Sequence, residues 1–459
     1  MTAPFNTLSL KPELLSTLDT LGYTEMTPIQ AQSLPLVLDG KDVIGQGKTG
    51  SGKTATFALG LLSNLNVSRF RVQSLVLCPT RELADQVATE IRTLARGIHN
   101  IKVLTLCGGM PMGPQILSLE HGAHILVGTP GRILDHLSKG RIDLAELNTL
   151  VLDEADRMLE MGFQDAIDAI IDAAPTQRQT LLFSATFPEQ IETIASKVMQ
   201  NPEMVKVEST HQKSTIEQRF YQLDSTEERD NALEALLLTH RPESTVVFCN
   251  TKKEVQNVTD ELNHRRFSVI ELHGDMEQRE RERALTMFAN KSISILVATD
   301  VAARGLDVDN LDAVINFELS RDPEVHVHRI GRTGRAGAKG IAISFFSEKE
   351  LYRVERIEEY MGIDVHPAKL PQPENPKPYY PSMRTIQILG GKKQKVRAGD
   401  ILGSLTKEAG IDGKLIGKIN ILPMVSYVAI DNSVAKIAEQ QLQNGKMKGR
   451  NFKARIMKG

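Results

Sequence analysis

Val43-Ile44-Gly45-Gln46-Gly47-Lys48-Thr49-Gly50-Ser51-Gly52-Lys53-Thr54-Ala55-Thr56-Phe57-Ala58-Leu59 passes from an apolar, strand-like run through a glycine-rich loop into a helical segment. Residues 47–54 fit the pattern GxxxxGK[ST], and both flanks fit it as well. Gly50 and Gly52 let backbone N–H groups turn toward phosphate oxygens. Lys53 adds a point charge at the β/γ-phosphates, and the Thr54 hydroxyl suits Mg²⁺. The stretch therefore predicts a nucleotide-binding α/β domain, with ATP and Mg²⁺ as its ligands.

Working outward, short apolar runs recur at residues 74–78, 102–107, 124–127, 149–152 and 180–183. They alternate with helix-like stretches such as residues 82–96, where Leu83, Val87, Ile91 and Leu94 follow at spacings of four, four and three. Continuous apolar strands between amphipathic helices describe a parallel sheet covered on both faces. After a polar stretch at residues 208–216, read as a linker, the pattern restarts with runs at 245–249, 268–272, 293–298, 313–317 and 340–346. Pro371, Pro373, Pro376, Pro378 and Pro381 then mark an extended spacer over residues 371–382, which can join neither helix nor sheet ladder. Beyond it, strand, helix, strand, strand, helix, strand are predicted at residues 384–389, 400–409, 415–421, 426–430, 434–443 and 452–457. That order suits a small four-stranded sheet with two helices on one face. The domains expected are 1–207, 217–370 and 383–459.

Length and composition agree, since 459 residues exceed what one core serves, and 41% hydrophobic with 24% charged residues is near the globular average. No apolar run approaches the length that spans a bilayer, and Met1-Thr2-Ala3-Pro4-Phe5 lacks the pattern of a secretory signal. The expected address is cytoplasmic. Cys78, Cys107 and Cys249 lie in or beside apolar runs without metal-ligand spacing, and read as buried thiols. His326 and His328, the closest histidine pair, alternate along a strand or loop rather than sharing a face, so no structural metal is expected. The net charge of −2 hides an asymmetry: residues 379–459 hold 15 Lys+Arg against 5 Asp+Glu, leaving 40 against 52 elsewhere. A basic module on an acidic body predicts a polyanion contact at one end.

Two more motifs carry chemistry. Asp153-Glu154-Ala155-Asp156 follows Leu150-Val151-Leu152, putting acids at a strand's carboxyl end, where open α/β sheets bind ligands. Asp153 suits Mg²⁺, and Glu154 suits orientation or deprotonation of an attacking water. His328-Arg329-Ile330-Gly331-Arg332-Thr333-Gly334-Arg335 offers Arg332 and Arg335, planar cations suited to charge on a transferring γ-phosphoryl.

With these motifs in order, residues 5–366 resemble the DEAD-box RNA helicases, and the resemblance implies two tandem RecA-like domains. It also implies that Gln30, in Gly22-Tyr23-Thr24-Glu25-Met26-Thr27-Pro28-Ile29-Gln30, bonds the adenine edge while Tyr23 stacks on the base, and that Asp307 contacts the ribose. Pro79-Thr80-Arg81-Glu82-Leu83, Gly108-Gly109 and Thr129-Pro130-Gly131-Arg132 are similar to the family's RNA contacts, which implicates Arg81, Gly109, Thr129 and Arg132. In the second domain the resemblance implicates Gln278, Arg281, Thr299 and Arg304. Ser184, Thr186 and His328 are implied to couple hydrolysis to strand separation. Gly47 stands where the family usually has alanine, and ATP binding is expected to survive it.

The third module is similar to the ribosomal-RNA-binding, RRM-like domain of the bacterial DbpA subfamily. The RRM signature K/R-G-F/Y-G/A-F-V-x-F/Y is missing, and Tyr427 is the one aromatic of the third strand. The RNA contacts are therefore expected on basic loops and strand edges: Lys392, Lys393, Lys395, Arg397, Lys446, Lys448 and Arg450. The resemblance implies an RNA-stimulated ATP hydrolase that unwinds short duplexes, acting as a monomer on 23S ribosomal RNA and large-subunit precursors. An ATP-gated RNA clamp, a helicase of messenger RNA and a DNA translocase are the other readings.

Overall fold

A computed structural model describes residues 3–47, 50–187, 189–207, 216–303, 311–334, 340–447 and 449–457. Arg304, Asp307, Arg335 and Lys448, all implicated above, lie outside the described residues. The chain forms two compact units, Met1–Gln212 and Lys213–Gly459.

In the first unit seven strands form one parallel sheet: β1 (Val43–Gln46), β2 (Ser74–Leu77), β3 (Val103–Leu106), β4 (Ile125–Gly128), β5 (Thr149–Asp153), β6 (Gln179–Ser184) and β7 (Glu203–Lys206). Alternate side chains point to opposite faces, so one core holds Val43, Val76, Val127, Val151 and Leu181 while the other holds Ile44, Leu75, Leu126, Leu150 and Leu182. Helices cover both. The order is β3-β4-β2-β5-β6-β1-β7. Because every strand runs the same way, the loops after β3, β4 and β2 emerge on one half of the sheet's carboxyl edge. Those after β5, β6 and β1 emerge on the other half.

The second unit repeats the plan with β8 (Ile216–Gln222), β9 (Thr245–Cys249), β10 (Val269–Leu272), β11 (Ile295–Thr299), β12 (Ala313–Asn316) and β13 (Gly340–Phe346), again all parallel, in the order β10-β11-β9-β12-β13-β8. Two polar strands, β7 and β8, have no counterpart among the predicted runs. β7 lies at a sheet edge, as does β8, which opens at Ile216, inside the segment read as a linker. Glu203 and Lys206 in the one, and Glu217, Gln218, Arg219 and Gln222 in the other, interrupt any continuous apolar run. A third difference is that His326 and His328 lie on a helix, Pro323–Ile330, which Asp322 caps and Pro323 opens. They still face differently: His326 is buried and His328 half-buried.

The remaining strands, β14 (Met383–Ile388), β15 (Ile416–Ile421), β16 (Ser426–Asp431) and β17 (Ala454–Ile456), form an antiparallel sheet in the order β15-β16-β14-β17. Ile386, Ile388, Val428 and Ile430 face the helices Ala398–Gly403 and Ala435–Asn444. The centre of the opposite face is buried too. Thr385 and Ala429 are paired across the strands, as are Gln387 and Tyr427, and Thr385, Ala429 and Tyr427 are at most 4% exposed. The second α/β domain covers that face: Asn290 Nδ2 donates to Thr385 Oγ1 at 2.8 Å, Thr385 Oγ1 meets Ser292 Oγ at 2.9 Å, and Met457 packs with Met287 and Ile293.

The proline-rich segment forms neither helix nor strand, and it is no free tether. Ala368 N donates to Phe220 O, Arg241 Nη1 donates to Lys377 O, and the Arg241 guanidinium lies 5.3 Å from the centre of the Tyr379 ring. Tyr379 packs into the second domain's core, edge-on to Phe267.

Candidate nucleotide and RNA site

The phosphate loop joins β1 to the helix Lys53–Asn64, whose N-cap is Gly52 at φ 97°. A side chain at Gly52 would collide with the Gln30 amide and the Thr27 hydroxyl, and only glycine takes this backbone conformation cheaply. Lys53 is buried, and its ammonium donates to Gly47 O. Desolvation depresses its pKa, while Asp153, Glu154 and Asp156 pull it back up. Asp153, at the end of β5, is 3% exposed. Burial, with Glu154 beside it, pushes its carboxyl up to about 7, and Lys53 partly opposes the shift. Glu154 itself adopts the left-handed conformation, φ 51°, at the turn into the next helix.

β6 lies between β5 and β1, so Ser184 and Thr186 fall between the acidic motif and the phosphate loop. Ser184 O accepts from Gly47 N at 3.1 Å, and Asp156 Oδ2 accepts from Thr186 N at 3.1 Å and Thr186 Oγ1 at 2.9 Å. Of the three residues implicated in coupling, Ser184 is bonded to the phosphate loop and Thr186 to the acidic motif. His328 belongs to the other unit, with Nε2 at 3.8 Å from Glu324 Oε1.

Gln30 braces the loop as well. Its Oε1 accepts from Thr27 N at 2.8 Å and its Nε2 donates to Gly52 O at 3.3 Å, while Thr27 Oγ1 donates to Ser51 O at 2.7 Å. One lone pair and one N–H of the amide remain, the donor–acceptor pair that adenine N6 and N7 require. Tyr23 lies edge-on to Phe5 and donates to Glu90 Oε1 at 3.2 Å.

On the other half of the edge, the loops after β2, β3 and β4 meet. Gly108 N donates to Thr129 Oγ1 at 3.2 Å, and Arg132 Nη1 donates to Met110 O at 3.1 Å. Gly109, at φ 72°, comes so close to the Arg81 guanidinium that a side chain there would collide with it. Arg81, Gly109, Thr129 and Arg132 therefore form one cluster.

In the second unit Gln278 and Arg281 lie on the helix Gln278–Ala289, and Thr299 ends β11. Arg281 Nη1 donates to His273 O at 3.2 Å. Arg332 follows the helix Pro323–Ile330, with its carbonyl accepting from Leu311 N. Arg329, which the sequence did not single out, is the hub. It is 2% exposed and uses every N–H it has: Nε and Nη2 to Asp300 at 2.6 and 2.7 Å, Nη1 to Asn316 Oδ1 and Glu318 O, Nη2 to Asn250 Oδ1. It thereby ties the loop after β11, and so Thr299, to the helix preceding Arg332. An arginine among other arginines gives no signal of this.

Lys392, Lys393, Lys395, Arg397, Lys446 and Arg450 are all exposed on the third module. Gly391 packs against Leu422 O with no room for a side chain, and Lys392 N and Lys393 N donate to Leu422 O and Pro423 O. Lys393, Lys395 and Arg450 border a cavity of about 260 Å³ with Gln394 and Asp400, over a lining of Val396, Met447 and Phe452. Tyr427, by contrast, is 4% exposed, with its hydroxyl 3.3 Å from Gln387 Nε2.

Residues 27–194 match the DEAD/DEAH box helicase family, 228–337 the helicase conserved C-terminal domain and 385–456 the DbpA RNA binding domain. The chain is 54% identical over 459 residues to the ATP-dependent RNA helicase DbpA of Escherichia coli, covering all of both chains. The chain belongs to the DEAD-box family. It is 38% identical to the DbpA of Bacillus subtilis, covering 98% of each chain. Dbp5 of Saccharomyces cerevisiae, in a structure with RNA and ADP BeF3, superposes on this DEAD-box protein with a TM-score of 0.72 at 31% identity, covering 80% of this chain and 95% of Dbp5. The protein is an ATP-dependent RNA helicase of the DbpA type, with two RecA-like domains and a C-terminal RNA-binding module.

Proposed function

We propose that this helicase remodels 23S ribosomal RNA during assembly of the large ribosomal subunit, in the cytoplasm and as a monomer, with the C-terminal module selecting the RNA. The observation that carries the reading is the placement of charge on that module. Thr385, Tyr427 and Ala429 on its sheet face, where an RRM stacks bases, are buried and Thr385 is bonded to the second domain, whereas Lys392, Lys393, Lys395, Arg397, Lys446 and Arg450 are exposed and three of them border one cavity. A structured RNA with an unpaired segment suits such a surface better than a featureless single strand.

The ATP-binding residues fit a nucleotide with Mg²⁺. Asp153 is a buried carboxyl at the end of a strand, whose anionic form a cation would restore, and Lys53 stands among the acids with its ammonium on the phosphate loop. Thr54 and Asp153 would hold the ion, which when bound neutralises charge on the phosphates. Glu154 orients and deprotonates the attacking water, Arg332 and Arg335 supply positive charge to the transferring γ-phosphoryl, and Asp156 carries the change to Thr186. The test is competition binding and ATPase stimulation by fragments of 23S ribosomal RNA against unrelated structured RNAs of equal length. Equal stimulation by all of them would defeat the ribosomal reading while leaving the helicase intact.

A further inference from the structure

Beneath the cluster of Arg81, Gly109, Thr129 and Arg132 lies a hydrogen-bonded strut that none of these residues belongs to. Gln115, on the helix Met112–Glu120, is 8% exposed, and its Nε2 donates to Cys107 O at 3.1 Å. His136, on the helix Pro130–Ser138, is wholly buried, with Nε2 at 3.2 Å from Gln115 Oε1. A carbonyl only accepts, so the Gln115 amide must turn its NH₂ to Cys107 and its oxygen to His136. That in turn puts a proton on His136 Nε2. Burial, with Arg141 and Arg132 nearby, lowers the histidine's pKa and favours its uncharged form.

The bonds close a ring. His136 holds Gln115, Gln115 holds Cys107, and the next residue, Gly108, holds Thr129, the N-cap of His136's own helix. The loop after β3 is thus attached to the Thr129 helix at two levels. The outer level, Gly108 to Thr129 and Arg132 to Met110, is made by the groups that would also meet a phosphate oxygen. The inner level, Gln115 to Cys107 and to His136, is buried. When RNA draws on the outer bonds, only the inner one keeps the Gly109 N–H and the Arg132 guanidinium in register.

We propose that Gln115 and His136 are positioning residues that hold the loops after β3 and β4 at the spacing of neighbouring RNA phosphates. They act before RNA arrives, so their contribution is to RNA affinity and not to the chemical step.

The test is steady-state ATPase of the full chain against RNA concentration, with Gln115→Met and His136→Gln. Methionine fills the volume without a donor or acceptor, and glutamine at 136 keeps a donor toward Gln115. Gln115→Met is expected to raise the KM for RNA about tenfold, with kcat at saturating RNA within about twofold of wild type. His136→Gln is expected to stay within about threefold in KM. A Gln115→Met chain that melts lower yet keeps the wild-type KM for RNA would overturn the proposal, because a merely structural residue behaves that way. An equal fall in kcat would overturn it also. The inference rests on reading these loops as RNA contacts, and Arg132→Ala separates the two: if it too leaves the KM for RNA unchanged, the loop reading itself fails.

Discussion

The first RecA-like domain and the C-terminal module handle charge in opposite ways. In the first domain Lys53, Asp153 and Asp156 are at most 8% exposed, and each is set by its neighbours: Lys53 by Gly47 O, Asp156 by Thr186, Asp153 by burial. In the module the candidate cations are exposed, while Thr385, at the centre of the sheet face that the RRM plan would open to RNA, is capped by Asn290 and Ser292, and Met457 packs on Met287. Buried, preset charge serves one small ligand and one reaction. Exposed charge on loops serves a large polyanion whose shape selects it, and it costs no desolvation until that polyanion arrives.

The difference can be broken from its strongest side first. Glu154→Gln removes the base but no phosphate contact, so turnover should fall by about 10² to 10⁴ while ATP and RNA still bind, as single-turnover kinetics and equilibrium binding would reveal. Undiminished turnover would take Glu154 out of the reaction. Next in size is Arg329→Lys. Lysine has three donors where Arg329 uses five, so acceptors among Asn250, Asn316 and Glu318 are left unmet, that of Asn316 wholly buried. A loss of about 2–4 kcal/mol in unfolding free energy follows, measurable by denaturant titration.

His326 sharpens the contrast through pH. Wholly buried and stacked on Phe220, with no hydrogen-bond partner for either ring nitrogen among the described residues, it has its pKa lowered to about 3, mainly by burial and also by Arg329. The folded chain refuses a proton that the unfolded chain accepts near pH 6.5. The stability His326 contributes is therefore present above that pH and lost as pH falls toward 3, by about 2–3 kcal/mol between pH 6.5 and 4.5. In His326→Phe the acid-side slope should flatten; an unchanged slope would mean other groups dominate. The smallest effect belongs to the module. Thr385→Val keeps the shape but abandons Asn290 and Ser292, and should cost about 1–2 kcal/mol of docking, read as faster amide exchange along β14 and β16.

What the sequence made legible follows from the same contrast. Phosphate loop, acidic motif and central strands could be read because each is local: a glycine must stand where φ is positive, and a strand buried on both faces must be apolar throughout. β7 and β8 could not, since polar side chains interrupt both. Arg329, Gln115 and His136 were equally hidden, because burial and a distant partner give them their roles. Asn290 and Thr385 are 95 residues apart in sequence, and nothing in either neighbourhood announces that the module's sheet would be covered. The module's cations were visible as composition, but not the cavity that collects Lys393, Lys395 and Arg450.

The central claim is that those loop cations, not the sheet face, choose the RNA. The direct measurement is ATPase stimulation of the full chain by 23S ribosomal RNA and by an unrelated structured RNA, in wild type and in K393A/K395A/R450A. The account predicts that wild type prefers the ribosomal RNA. It predicts that the triple variant keeps weak stimulation by both RNAs but loses the preference, with the salt dependence of its RNA binding shallower by about two to three ions. A triple variant that still prefers ribosomal RNA as strongly as wild type would contradict it.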